Sequence, residues 1–134
     1  MRVIFRYLIV RALMLCGLVL SGGAAASAHH SFAPFDLTQE KTITGTVSRF
    51  EWTNPHSWIW VDVPNDKGVV ESWAVEGMSP NYLARRGWSK TTIKPGDKIT
   101  IAVRPLRSGD HGGMFVRATL ADGRVLTQSG QPTD

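Results

Sequence analysis

SPNYLARRGW, residues 79–88, decides the fold, because it is the segment of the chain after residue 28 whose pattern favours a helix. Ser79 suits the N-cap position, and Pro80 suits the first helical position, where its missing N–H group is not needed. Gly87 stands where a short helix would end. A short helix is therefore predicted here, and the fold class depends on the strands that precede and follow it.

Three strands are predicted before this helix. In TITGTVSRFEW, residues 42–52, Ile43, Gly45 and Val47 alternate with polar residues, a period of two that is typical of a half-buried strand. HSWIWVDVP, residues 56–64, alternates in the same way, and its predicted core-facing residues are Ile59, Val61 and Val63. The turn sequence PNDKG follows, and a third strand is predicted from Val69 to Glu76.

Two strands are predicted after the helix. DKITIAVRPL, residues 97–106, places Ile99, Ile101 and Val103 on one face. GMFVRATLADGRVL, residues 113–126, alternates before an Asp-Gly turn, and its predicted core-facing residues are Met114, Val116, Ala118 and Leu120. The order β-β-β-α-β-β is that of an OB-fold, a five-stranded Greek-key barrel, so a mainly β, OB-like barrel is predicted over residues 41–126. An immunoglobulin-like sandwich would need about seven strands and is the alternative.

The first 28 residues have the pattern of a secretory signal peptide. Three arginines lie before or within the apolar run Leu8–Leu20, and a small-residue stretch ending in Ala26-Ser27-Ala28 follows it. The apolar run is shorter than the roughly 20 residues that cross a bilayer. We therefore predict cleavage before His29 and a periplasmic or secreted product without a membrane span. Residues 29–40 are predicted to form an extended arm, and residues 127–134 a disordered tail.

Removal of the signal peptide changes the charge and the thiol content of the chain. The full chain carries 15 basic and 11 acidic residues, and loss of the three arginines lowers its net charge from +4 to +1. A nearly neutral domain with scattered lysines and arginines lacks a basic surface, so no nucleic-acid partner is expected. Cys16, the single cysteine, lies in the signal peptide, so the mature chain has neither a disulfide nor a reactive thiol.

The four histidines of the chain suggest a metal site. They are His29, His30, His56 and His111, and each lies at a predicted chain end or in a loop. In an OB-fold, His56 would lie between the first two strands and His111 between the last two, in loops that flank the usual ligand site. If His29 is the first residue, its amino group and imidazole can chelate one ion, and nitrogen ligands in this arrangement favour Cu(II). The sequence therefore predicts copper bound by His29 with His30, His56 or His111, with zinc as the competitor. The alternative is that these are ordinary loop histidines.

The five tryptophans are the second notable feature. Trp52, Trp58 and Trp60 cluster around the first predicted hairpin, and Trp73 and Trp88 follow. Aromatic side chains on the outer face of an OB barrel can stack on bases or sugars, but tryptophan also covers core surface efficiently. Packing is the favoured interpretation, because no basic stripe accompanies the rings. The second functional hypothesis is an interaction module whose aromatic hairpin binds another envelope protein or a glycan.

Conventional catalysis has little support in the sequence. The serines lack a nucleophile-elbow pattern, and no phosphate-binding glycine loop is present. The spacing of Glu51 and Glu76 in the sequence does not by itself establish an acid–base pair. A binding role is expected rather than turnover, although a copper ion with an open coordination position would also suit an oxidative enzyme.

The chain resembles an uncharacterised family of bacterial exported proteins, domain of unknown function 6152. The segments that carry the resemblance are AHHSFAPFD (28–36), GTVSRFEWTNPHSWIWVDV (45–63), SWAVEGMSPNYLARRGW (72–88), IKPGDKITIAVRPLRSGDHGG (93–113) and DGRVL (122–126). AHHSFA and NPH are the most specific of these. The resemblance implies export and a compact β-barrel domain and names no ligand or activity.

Overall fold

The computed structural model describes residues 32–129. Within this range the elements are β1 (Lys41–Glu51), β2 (Trp58–Pro64), β3 (Val70–Glu76), α1 (Pro80–Ala84), β4 (Lys98–Pro105), β5 (Gly112–Leu120) and β6 (Val125–Thr127). The predicted signal peptide, His29, His30 and residues 130–134 of the predicted tail lie outside the described residues. None of the helices between residues 32 and 129 is long and apolar enough to cross a membrane.

Five of the strands close a barrel. They lie in the order β3-β2-β1-β4-β5, and a parallel pairing between β3 and β5 joins the two ends of the sheet. The other neighbours in the barrel are antiparallel, and α1 lies between β3 and β4 in the chain. The predicted OB-like barrel is confirmed, and the sandwich alternative is wrong. The sequence did not predict β6, which pairs with β5 and includes Thr127, the first residue of the predicted tail.

β1 joins the two halves of the barrel. Its first half, from Lys41 to Thr46, pairs with β4, and from Thr46 onwards it pairs with β2. Gly45 lies where the pairing changes, and a Cβ atom there would be 2.3 Å from the carbonyl oxygen of Asp62 and 2.8 Å from Val61 Cγ1. A residue without a side chain is therefore needed for β1 to approach β2 this closely.

The core confirms most of the predicted alternation. Its buried members include the predicted inward-facing residues of β1, β2 and β4, namely Ile43, Val47, Ile59, Val61, Ile99, Ile101 and Val103. Leu83 of α1 also joins the core. The predicted helix cap is present, because the Ser79 hydroxyl accepts the Tyr82 N–H and Pro80 begins the helix. Burial of these apolar side chains supplies the main stabilisation of a barrel without disulfides.

The predicted alternation in β5 is wrong in the first half of the strand. Ala118 and Leu120 are buried as predicted, but Met114 and Val116 are only half-buried, and Phe115 fills the core instead. Pairing with β4 shifts register at this point, which is the signature of a β-bulge. Because a bulge adds one residue to one strand, it moves the following side chains to the opposite face.

The described part of the predicted arm is attached to the connection between β4 and β5. The Arg107 N–H donates to the Pro34 carbonyl at 2.8 Å. Phe35 is buried and forms an isolated β-bridge with Leu106. This part of the arm therefore belongs to the folded domain.

Candidate binding face

His56 and His111 lie in the two predicted loops, and each contacts a glutamate of β3. His56 precedes β2, and its Nδ1 atom contacts Glu76 Oε1. His111 precedes β5, and its Nε2 atom lies 3.4 Å from Glu71 Oε2. The two loop histidines thus have different carboxylate partners on one strand.

The loop that carries His56 is tied firmly to the end of β3. Ser57 is buried, and its N–H and hydroxyl groups both donate to the Met78 carbonyl, at 3.1 and 2.9 Å. The Gly77 N–H donates to the Ser57 carbonyl at 2.8 Å. These bonds hold His56 beside Glu76.

The two histidine contacts are too far apart to share one metal ion. Glu71 and Glu76 are five residues apart, which corresponds to roughly 16 Å along a strand. Glu71 has the strand parity of the buried Trp73, so Glu76 lies on the opposite face. Two nitrogen ligands of one ion lie within about 4 Å of each other, since each metal–nitrogen bond is about 2 Å long. The structure therefore does not bring His56 and His111 together.

The described residues by themselves do not assemble a metal site. Between residues 32 and 129, no group of three or more histidine, cysteine or acidic side chains is placed to hold an ion. His29 and His30 lie outside this range, so the copper or zinc site stays a prediction.

His111 covers a buried tryptophan. Its ring is stacked on that of Trp73, with centroids 5.3 Å apart and 17° between the planes. Lys41 Nζ lies 4.6 Å from the centroid of the same Trp73 ring. His111 therefore packs against the core through Trp73, in addition to its contact with Glu71.

Four of the five tryptophans divide into two groups, and the fifth, Trp52, is partly buried and packs against the core beside Phe50. Trp73 and Trp88 are 3% and 4% exposed and pack in the core, which confirms the packing interpretation for these two. Trp58 and Trp60 are only half-buried, and they alternate along β2 with the buried Ile59 and Val61. Trp58 and Trp60 therefore project from the outer face of the barrel.

Trp58 and Trp60 form one aromatic surface. Their ring centroids are 6.4 Å apart, and the planes meet at 30°. At this separation the rings are offset rather than stacked face to face, so part of each ring remains uncovered by the other. The Trp60 Nε1–H group is buried and makes no hydrogen bond within residues 32–129.

Charged side chains flank the two rings on the neighbouring strands. Trp58 lies opposite Glu51 of β1 on one side and Glu76 of β3 on the other. Arg49 of β1 lies opposite Trp60, and its guanidinium carbon is 4.7 Å from the Trp60 ring centroid. Arg49 Nη2 also pairs with Glu51 Oε1 at 2.9 Å. We call this surface the tryptophan face, and its members are Arg49, Glu51, His56, Trp58, Trp60 and Glu76.

The sequence did not reveal that Glu51 and Glu76 flank one tryptophan. They are 25 positions apart in the chain, and only the pairing of β1 and β3 with β2 brings both next to Trp58. Continued alternation from Ile43 and Val47 would place Glu51 on the core face. A register shift in the pairing of β1 with β2, between Val47 and Arg49, instead puts Glu51 on the outer face beside Trp58.

A family model described as "Family of unknown function (DUF6152)" matches residues 16–116 of the chain. No curated protein matches this chain. Among solved structures, the chain is similar to a mitochondrial single-stranded DNA binding protein, Rim1, from S. cerevisiae. The sequence identity is 8% and the TM-score is 0.46, over 62% of this chain and 94% of that chain.

Proposed function

Because the chain belongs to the DUF6152 family, a family of unknown function, we propose its role from the barrel itself: an exported binding module that holds its ligand on the tryptophan face. The observation that carries this proposal is the half-exposed pair Trp58 and Trp60 on the outer face of β2. Export rests on the signal-peptide pattern of residues 1–28.

Core packing does not account for Trp58 and Trp60. The core side of β2 is already filled by Ile59 and Val61, and the outer face of an antiparallel strand is usually polar. A large aromatic side chain with a polar N–H group is characteristic of binding surfaces, where it supplies contact area at low conformational cost. The barrel strands and the bonded Ser57 loop hold the surrounding charges in place. These features support a rigid, preformed binding surface.

Indole N–H signals in ¹H–¹⁵N NMR spectra test this proposal. The probes are uncharged and acidic oligosaccharides, an oligonucleotide and extended peptides. We expect a bound probe to shift the signals of Trp58 and Trp60 and to leave those of the core residues Trp73 and Trp88 nearly unchanged. Trp58→Ala should abolish the effect. Binding that shifts other surfaces, or that Trp58→Ala does not weaken, contradicts the proposal.

A second candidate function is copper binding, which we propose from the predicted mature N-terminus. His29 would supply an amino group and an imidazole, and one of His30, His56 and His111 would add a further nitrogen. Because His56 and His111 contact opposite ends of β3, at most one of them would join a given ion. The binding groups must be deprotonated, so affinity should fall below about pH 7.

Titration with Cu(II) tests this second function. A protein that begins at His29 should bind copper much more tightly than one with a single extra residue before His29, because the extra residue removes the free amine. His56→Ala and His111→Ala identify which loop contributes a ligand, and Zn(II) serves as the competing ion. Equal, weak binding by both N-terminal forms contradicts the chelate.

A further inference from the structure

We infer that the ligand of the tryptophan face is an uncharged glycan, recognised by its sugar rings and by pairs of neighbouring hydroxyl groups. This inference rests on the proposed function of the face. Three observations support it: the signs of the charges around Trp58 and Trp60, the contacts that these charged side chains already make with one another, and the backbone pairing of β2 with both of its neighbours.

The charges of the face disfavour an anionic ligand. Glu51 and Glu76 stand on either side of Trp58. Arg49 is the permanent positive charge among the residues of the face, and Glu51 already neutralises it. A chain of phosphates or of uronic acids would therefore meet more negative than positive charge, whereas binding of polyanions relies on basic side chains.

The same charges are also not arranged for a cationic ligand. Glu51 is paired with Arg49, and Glu76 contacts His56. A cationic group would have to displace these partners before it could pair with either carboxylate.

The Arg49–Glu51 ion pair retains unused hydrogen-bonding capacity that suits hydroxyl groups. A carboxylate has about four acceptor positions and a guanidinium has five N–H donors, so neither is saturated by one partner. A sugar hydroxyl both donates and accepts. Two neighbouring hydroxyls can therefore donate to Glu51 and accept from Arg49 at once, and the apolar face of the sugar ring can lie on the indoles.

The backbone pairing of β2 disfavours an extended peptide. A peptide commonly binds by adding a strand to an exposed sheet edge. β2 pairs with β1 from Trp58 to Asp62 and with β3 along its whole length, so the tryptophan face has no free edge at β2. Strand addition at β2 is therefore excluded, which leaves binding through side chains, the mode that a glycan uses.

Isothermal titration with four hexameric probes tests the inference on the protein purified after expression of the full chain. The uncharged probes are cellohexaose and hexa-N-acetylchitohexaose, and the anionic probes are hexagalacturonate and a deoxythymidine hexamer. We expect an uncharged probe to bind at least about tenfold more tightly than either anionic one, since the positive charge of Arg49 on the tryptophan face is already paired with Glu51. Trp58→Ala should weaken this binding at least about tenfold, which is the usual effect of removing a stacking ring.

Glu76→Gln and Glu71→Gln form a matched pair, because both residues lie on β3 and only Glu76 belongs to the tryptophan face. Glu76→Gln should weaken glycan binding several-fold, and Glu71→Gln should leave it unchanged. This pair also keeps the test informative if Trp58→Ala fails to fold, as judged by its circular dichroism.

The outcomes separate this inference from the proposed function. If an anionic probe binds most tightly and Trp58→Ala removes that binding, the glycan inference is overturned and the binding face stands. The glycan inference is also overturned, and the binding face also stands, if neither uncharged glycan binds but a peptide shifts the NMR signals of Trp58 and Trp60. If Trp58→Ala and Glu76→Gln affect no probe, or none binds, both the inference and the proposed function are overturned.

Discussion

Gly45→Ala is predicted to destabilise the barrel by about 2 kcal/mol. A Cβ atom at position 45 would lie 2.3 Å from the Asp62 carbonyl oxygen and 2.8 Å from Val61 Cγ1. The first contact is with backbone, which cannot rotate away, and Val61 is 0% exposed, so its side chain has no free space. Overpacking of this kind costs about 1–3 kcal/mol, and the 2.3 Å contact places Gly45 at the upper end of this range.

The expected loss includes an opposing effect on the unfolded chain. Alanine restricts the unfolded chain more than glycine, which stabilises the folded state by about 0.4–1 kcal/mol where the backbone conformation is compatible. Gly45 does not have a positive φ angle, so this gain applies and reduces the net loss to about 2 kcal/mol. For a domain of this size, such a loss lowers Tm by about 10 °C.

Urea denaturation at 25 °C measures this prediction, with Gly87→Ala as the control. Gly87 has a φ of 84°, and no atom lies within 4 Å of its added Cβ, so its replacement carries only a conformational penalty of about 1 kcal/mol. Gly45→Ala should lower the free energy of unfolding more than Gly87→Ala does. If Gly45→Ala is no more destabilising than Gly87→Ala, β1 and β2 have room for a side chain at position 45, and the steric argument is refuted.

Three further predictions concern the fold. Phe115→Ala should cost about 3–5 kcal/mol because Phe115 is 1% exposed, whereas Val116→Ala should cost under about 1 kcal/mol; equal losses in urea denaturation would contradict the bulge in β5. Leu126→Ala should cost about 2–5 kcal/mol by the same assay, because Leu126 of β6 is 0% exposed, and a neutral result would mean that β6 does not cover the core. The Thr38 hydroxyl and backbone N–H groups lower the pKa of Asp36, so the stability from this contact is present above about pH 4 and is lost as pH falls through the lowered pKa. Thr38→Val should therefore raise the Asp36 pKa in a ¹³C carboxyl titration, and an unchanged value would refute the role of the hydroxyl.

The fold was predictable wherever local patterns decide structure. Alternation in β1, β2 and β4 identified inward-facing residues, and Ser79 with Pro80 located the start of α1. These patterns are local because side-chain direction in a strand has a period of two and a helix cap involves only neighbouring residues. The order of elements then sufficed to predict the OB-like barrel.

The candidate site was predictable only in part. The sequence placed His56 and His111 in the correct loops and grouped Trp58 and Trp60 in one hairpin. It could not show that the two histidines contact opposite ends of β3, because that depends on which residue of β3 each loop reaches. The metal prediction for His29 and His30 concerns residues outside the described part of the chain and stays a prediction.

The sequence by itself determined the predicted order of secondary-structure elements, the helix cap and the outward direction of Trp58 and Trp60, because each depends on residues close together in the chain. Only the tertiary structure decided the bulge in β5, the pairing of β6 with β5 and the alignment of Glu51 and Glu76 beside Trp58. These features depend on strand register, which hydrogen bonds and packing between distant segments establish together. A shift of one residue in that register would reverse the faces of a strand, so a short sequence pattern cannot specify it alone.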